Sequence, residues 1–281
     1  MASLYQRSVP FLTPSGAFVR QYYNVYGHLY KPLWGANIHW GLFREGAMGL
    51  ASATARCTEY MIHLAGISAS DRVLDLGCGP AFSAATIVRQ TGAYVLGIDV
   101  SEYQLDRARE EAAEAIQSKR LKLLPGDVQN YDFEPNAFTV AWSQATFFHL
   151  HHRQIVFNML AQTLACGGRV VFDDLICKAS IDHDTFVTTF GRLGVLNLET
   201  EESYIALCKE AGFSVSTVED ISEDLATTYQ QVLDNLDRLY LEEPNRLRVG
   251  TYKRWRESFS SFVRLTQEGK LGCMILLAHK Q

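Results

Sequence analysis

None of the six cysteines (Cys57, Cys78, Cys166, Cys177, Cys208, Cys273) pairs with another as C-x-x-C, and none has a histidine at metal-ligand spacing. That pattern argues against a zinc centre and against a disulfide framework, and it implies reduced thiols in the cytosol. No apolar run approaches the roughly 20 residues that a membrane-spanning helix needs. Met1–Phe18 contains Pro10, Pro14 and Gly16 and has no continuous apolar core, so no secretory leader is read there, and a soluble, cytoplasmic protein without membrane contact is expected. A basic excess is missing too. With 26 Lys and Arg against 31 Asp and Glu, the net charge is −5, and no nucleic-acid partner is expected because little could neutralise phosphates. The nearest thing to a basic patch, Lys253, Arg254 and Arg256, reads as a solvated helix face. Internal repeats and low-complexity tracts are absent.

What the chain does have is a hydrophobic content of 47% over 281 residues, enough for one sizeable core with appended elements. Its organising stretch runs from Val73 to Asp99, VLDLGCGPAFSAATIVRQTGAYVLGID. A short apolar strand ends in Asp75, glycines follow at Gly77 and Gly79, a helix spans 82–90, and a second apolar strand ends in Asp99. Glycines just past a strand let backbone N–H groups approach a ligand, and an acid ending the next strand can accept from two ribose hydroxyls. A dinucleotide fingerprint would carry a third glycine where Phe82 stands. It would also lack Asp75, whose carboxylate suits a ligand that combines an ammonium group with a nucleoside.

D-L-G-C-G followed by a strand ending in G-I-D resembles the first motif and the next acidic position of class I S-adenosylmethionine-dependent methyltransferases. Ala81 stands where that family often has another glycine. A second stretch, AFVRQYYNVYGHLYKPLWGANIHWGLF, is dense in aromatics: Tyr22, Tyr23, Tyr26, Tyr30, Trp34, Trp40 and Phe43, with His39 among them. It resembles the corresponding region of small-molecule methyltransferases of the sarcosine/dimethylglycine type. Pro32, Gly35 and Gly41 break the helical period, so W-G-x-N-I-H-W-G-L-F reads as a turn presenting rings to a ligand, and the segment as a lid. Aromatic faces near a sulfonium contribute about 0.5 to 2 kcal/mol.

Further along, Ser101 reads as an N-cap with Gln104 at N3, opening a helix to about Ser118. Gly126-Asp127-Val128 resembles the family's adenine-binding corner. Ser143, Gln144 and His149 match the W-S-Q-D-A-x-x-H of the sarcosine-type enzymes, with Ala145 replacing the acid, and Asp174 matches as well. The assigned roles are therefore cofactor binding by Tyr23, Asp75, Gly77, Gly79, Asp99, Gln104, Asp127, Val128 and Ser143. Acceptor binding falls to Tyr22, Trp34, Gln144, Phe148, Tyr252 and Trp255. The catalytic residue is His149, with His39 and Asp174 in reserve, and no metal is expected.

Strands alternating with helices give an α/β fold, a Rossmann-like, doubly wound, seven-stranded sheet. The resemblance makes its last strand antiparallel. The expected organisation is a loose arm and aromatic helical cap over 1–68 and an S-adenosylmethionine-binding domain over 69–281. Within the latter, a helical lid spans about 219–268, and 178–200 is a less regular insert. The resemblance implies methyl transfer from S-adenosylmethionine to a small organic acceptor. An apolar secondary-metabolite amine is favoured, because Ala145, Phe147 and Phe148 form a wall without the acid. C-methylation of an isoprenoid, aromatic or indole carbon, and a non-catalytic S-adenosylmethionine-binding protein, are the alternatives. Assembly into a homo-oligomer is left open.

Overall fold

The computed structural model describes residues 13–43 and 49–281, together with the backbone path of residues 5–8. The rest of the expected arm, residues 1–4 and 9–12, lies outside the described residues.

A short strand β1 (Tyr5–Ser8) precedes helices α1 (Pro14–Tyr26), α2 (Tyr30–Trp34) and α3 (Leu50–Leu64). The α/β body follows in the order β2 (Arg72–Leu76), α4 (Phe82–Thr91), β3 (Tyr94–Asp99), α5 (Glu102–Glu111), α6 (Ala113–Gln117) and β4 (Leu121–Pro125). Then come β5 (Tyr131–Phe133), β6 (Phe138–Gln144), α7 (Arg153–Thr163) and β7 (Leu164–Cys177). The chain continues through α8 (His183–Phe190), α9 (Glu201–Glu210), β8 (Phe213–Asp220), α10 (Ser222–Glu242), α11 (Val249–Gln267) and β9 (Leu271–Lys280).

The main sheet has seven strands in the order β4-β3-β2-β6-β7-β9-β8, and β9 runs antiparallel to both of its neighbours. Its remaining pairings, β2 with β3 and β6, β3 with β4 and β6 with β7, are parallel. The chain leaves β2 first toward β3 and later toward β6. That reversal opens a crevice outside the carboxyl ends of these strands, where ligands bind in open α/β sheets. Neighbouring strand residues fall into opposite apolar layers: Val73, Val140 and Val171 on one side, Leu74, Ala141 and Phe172 on the other, as a two-residue repeat requires. No helix among the described residues is long and apolar enough to cross a membrane.

Some local expectations need correction. The helix after Ser101 breaks at Ala112, and the supposedly irregular 178–200 contains α8, capped by Asp182 accepting from the N–H of Thr185 at 2.9 Å. The two indoles of the tryptophan turn do not line the crevice, although His39 between them does. Trp34 packs edge-on to Phe259 at 5.5 Å and Trp40 lies 6.1 Å from Phe148, both buried. Burying indoles against α10, α11 and the sheet removes far more apolar surface from water than an open turn would. As a result the cap helices and the last helix pair share one aromatic cluster.

Candidate active site

The crevice is a cavity of about 930 Å³, counting its open mouth, at the upper end of the range for small-ligand sites. Its floor is the loop after β2. Gly77 and Gly79 take φ of +72° and +52°, and a Cβ on Gly77 would sit 2.4 Å from Thr146 Oγ1, so this loop needs glycine for both conformation and space. Asp99, at the end of β3, accepts from the N–H of Gly79 at 2.9 Å and of Ser101 at 2.8 Å. Burial raises its pKa to about 6, with those two amides opposing the shift. Asp75, 2% exposed, is pushed up to about 8 by burial and by the nearby Asp99 charge.

The buried Asp75 Oδ2, Gln104 Oε1 and Trp142 Nε1 have no hydrogen-bond partner, and all three residues line this cavity. Buried polar atoms are rarely left alone, so an orphaned carboxylate oxygen, amide oxygen and indole N–H around one cavity mark ligand contacts. A ligand with an ammonium group and a polar nucleoside fits that donor set.

At the far rim Asp127 Oδ2 accepts from the N–H of Thr13 at 2.9 Å, and Gln129 Nε2 donates to Thr13 Oγ1 and Ser15 Oγ at 2.8 and 2.9 Å. Thr13 is the N-cap of α1, so the first helix is seated on the corner after β4. Arg20 Nε and Asn24 Nδ2 on the same helix bond Glu102 at 2.9 and 3.0 Å.

The opposite wall holds the histidines. His149 Nδ1 lies 3.2 Å from the Leu193 carbonyl, which can only accept, so Nδ1 carries the proton and the Nε2 lone pair faces the Tyr23 hydroxyl at 3.2 Å. Burial lowers the His149 pKa to about 3, and the Arg192 and Arg153 charges act in the same direction. His39 is likewise neutral, lowered to about 4 by burial, with Nδ1 on the Trp40 carbonyl at 2.8 Å and Nε2 on Thr58 Oγ1 at 3.0 Å. Thr58 Oγ1 is 3.1 Å and Ser83 Oγ 2.6 Å from Gln144 Oε1, and Gln144 Nε2 donates to Asp173 Oδ2 at 2.8 Å. Asp173 Oδ1 also receives the N–H of Ala145 at 2.7 Å, holding that residue at φ +52°. His39, Cys57 and Asp173 place donor atoms within 4.8 Å of one another, but each is already bonded inside this network.

Eleven of the residues assigned binding or catalytic roles from sequence line the cavity, and Ala145 with them: Tyr23, His39, Asp75, Gly77, Gly79, Asp99, Gln104, Asp127, Val128, Gln144 and His149. The others do not. Ser143 turns away to the Leu76 carbonyl at 3.2 Å. Asp174 is buried against the Tyr204 hydroxyl and the Phe148 N–H, its pKa raised to about 7 by burial, and it does not line the cavity. Tyr22, Trp34 and Trp255 belong to the aromatic cluster, and Phe148 stacks beneath His149 at 4.1 Å. Tyr252 lies on Tyr240 at 3.9 Å and bonds Asp237.

Sequence reasoning missed Asp173, Asn37, Ser83 and Thr146. Strand parity was the available signal for Asp173, because Val171, Asp173 and Leu175 alternate onto the face that carries Trp142 and Gln144.

Known proteins resemble this chain in sequence and in fold. Residues 74–172 match the family described as Methyltransferase domain. Methyltransferase GfsG of Streptomyces halstedii is 30% identical over 226 residues, covering 79% of this chain and 81% of that protein. The 27-O-demethylrifamycin SV methyltransferase of Amycolatopsis mediterranei is 26% identical over 261 residues, 92% of this chain and 95% of the relative. Among solved structures, the cyclopropane synthase MmaA2 from Mycobacterium tuberculosis superposes with a TM-score of 0.88 at 15% identity, covering 96% of this chain and 99% of that one; the likeness is one of fold.

Proposed function

This chain belongs to the class I S-adenosylmethionine-dependent methyltransferases, and we propose that its acceptor is a small, fairly apolar organic molecule methylated on an amine nitrogen. When bound, S-adenosylmethionine supplies an activated methyl on a positively charged sulfur. Asp75 would hold its ammonium group, Asp99 its ribose hydroxyls, and Asp127 with the Val128 N–H its base, while Gly77 and Gly79 allow close backbone approach.

The observation that carries the choice of acceptor is the neutral wall formed by His149 and Tyr23. With a pKa near 3, His149 is a weak base, unsuited to stripping a proton from a simple hydroxyl. An amine needs no such base once it arrives uncharged. A wall with Ala145 in place of an acid, backed by Phe148, disfavours a charged ammonium and so selects the uncharged form. The Tyr23 hydroxyl, donating to His149 Nε2, would accept the amine's N–H on its oxygen and orient it, and exclusion of water with fixed geometry would supply most of the rate.

One specific finding favours a second reading: the rifamycin relative is named for an oxygen acceptor. The test is a tritiated S-adenosylmethionine assay across glycine, sarcosine, dimethylglycine, aromatic amines, indoles, prenyl diphosphates and apolar alcohols. Turnover with an apolar amine and none with glycine or sarcosine is expected. Efficient methylation of the small zwitterions, or of alcohols alone, would overturn the proposal.

A further inference from the structure

His149 is held from behind by a turn to which the sequence pattern assigned nothing. The 3₁₀ turn Gly191–Leu193 follows α8, and its Leu193 carbonyl is the group that keeps the proton on Nδ1. The turn is itself held by Arg192. This side chain donates from Nε to Ser258 Oγ on α11 at 3.0 Å and from Nη1 to the hydroxyls of Tyr22 and, at 3.4 Å, Tyr30. Its guanidinium lies 4.7 Å from the Phe259 ring centre and 5.1 Å from that of Trp255. Among the described residues Arg192 forms no ion pair with a carboxylate, so rings and hydroxyls alone hold a planar cation with several directional donors.

We infer that Arg192 is a positioning residue for the reaction: anchored among Tyr22, Tyr30 and Ser258, it holds the Leu193 carbonyl where it fixes His149 with its Nε2 lone pair turned to Tyr23. A neutral imidazole has two tautomers, and the partner of one nitrogen decides which is present. Without the anchor, Leu193 is free to drift, the proton distributes over both nitrogens, and Nε2 stops presenting a lone pair to the Tyr23 hydroxyl. Arg192 thereby couples the cap helix that carries Tyr22 and Tyr23 to the last helix through the residue facing the acceptor. The inference rests on the reading that His149 and Tyr23 form the acceptor wall.

The tautomer can be read without knowing the acceptor. In enzyme labelled with ¹⁵N-histidine and saturated with S-adenosylhomocysteine, the His149 resonances, assigned by their loss in His149→Gln, show which nitrogen is protonated. The native protein shows the Nδ1–H form. Arg192→Met, apolar and unbranched among the same rings, shows a mixture, and Ser258→Ala, which removes the Nε partner together with that hydroxyl's bond to the Thr189 carbonyl, shows a smaller change in the same direction. With an acceptor from the assay above, Arg192→Met lowers kcat about tenfold or more while cofactor affinity stays within about twofold. An unchanged Nδ1–H signature in both variants, with His149→Gln impaired, overturns the role of Arg192 alone. Full turnover by His149→Gln overturns instead the reading of the acceptor wall on which it rests.

Discussion

The backbone N–H of Thr13 donates to Oδ2 of Asp127 at 2.9 Å across 114 residues of sequence. The start of the cap is thus tied to the corner proposed to receive the adenine ring. The Thr13 hydroxyl also donates to the same Asp127 oxygen and caps α1, so Thr13→Ala keeps the backbone bond but removes this side-chain tie and the N-cap, a loss of about 1 kcal/mol. Limited proteolysis of the cap should accelerate in the variant, and S-adenosylmethionine should slow it again. Identical cleavage rates in variant and native protein would show that the tie contributes nothing.

Asp99→Ala leaves two ribose hydroxyls without their charged acceptor. The expected penalty is about 1.5 to 3 kcal/mol, roughly tenfold to a hundredfold in the dissociation constant for S-adenosylmethionine. Titration calorimetry reads this directly. Unchanged affinity would remove Asp99 from the cofactor site.

Asp75 predicts a proton exchange. Its carboxyl, raised to about 8, is mostly protonated at pH 7 in the free protein, and an ammonium placed against it favours the ionised form. Cofactor binding at pH 7 should therefore release up to about one proton, seen as a dependence of the calorimetric heat on the ionisation enthalpy of the buffer. Asp75→Asn should abolish the release. The folded pKa lies above the unfolded one, so the free protein draws stability from protonated Asp75 below about pH 4 and loses that stability as pH rises toward about 8. Without cofactor the melting temperature of native protein should fall relative to that of Asp75→Asn across that window, and added cofactor should raise that of native protein the more.

Ala145→Asp restores the acid that the sarcosine-type sequences carry. Aspartate tolerates the left-handed backbone found there better than alanine does, so the fold should survive. Preference in the acceptor panel should move toward charged amines, with the apolar acceptor losing about tenfold or more because a new charge must be desolvated beside it. If the ranking of acceptors does not change, Ala145 does not face them.

Much of this was legible in the sequence. Val73–Asp99 is a local unit in which strand, glycine loop and helix are specified by adjacent residues, and Asp75, Gly77, Gly79 and Asp99 all reach the cavity. What failed was non-local. Whether Trp34, Tyr22 or Trp255 faces a ligand or a neighbour depends on α10 and α11, which arrive some two hundred residues after the cap, and ring orientation leaves no trace in spacing. Asp173 and Asp174 were told apart by family pattern when strand parity was the better guide. Helix α8 carries mixed polar and apolar residues over a short span, too few for a helical period to stand out.

The place of β9 between β7 and β8 bears on how the protein is made. Strand β8 joins the main sheet only through β9, and β7 keeps one bare edge until β9 arrives. Residues 271–280 are translated after β7 and β8, with α10 and α11 in between, so the half-built sheet must wait on the ribosome with two strands short of partners. Such unpaired edges invite association between nascent chains. Slowing translation just before residue 271 would lengthen that wait and should lower the soluble yield, and a chaperone covering β7 and β8 would restore it.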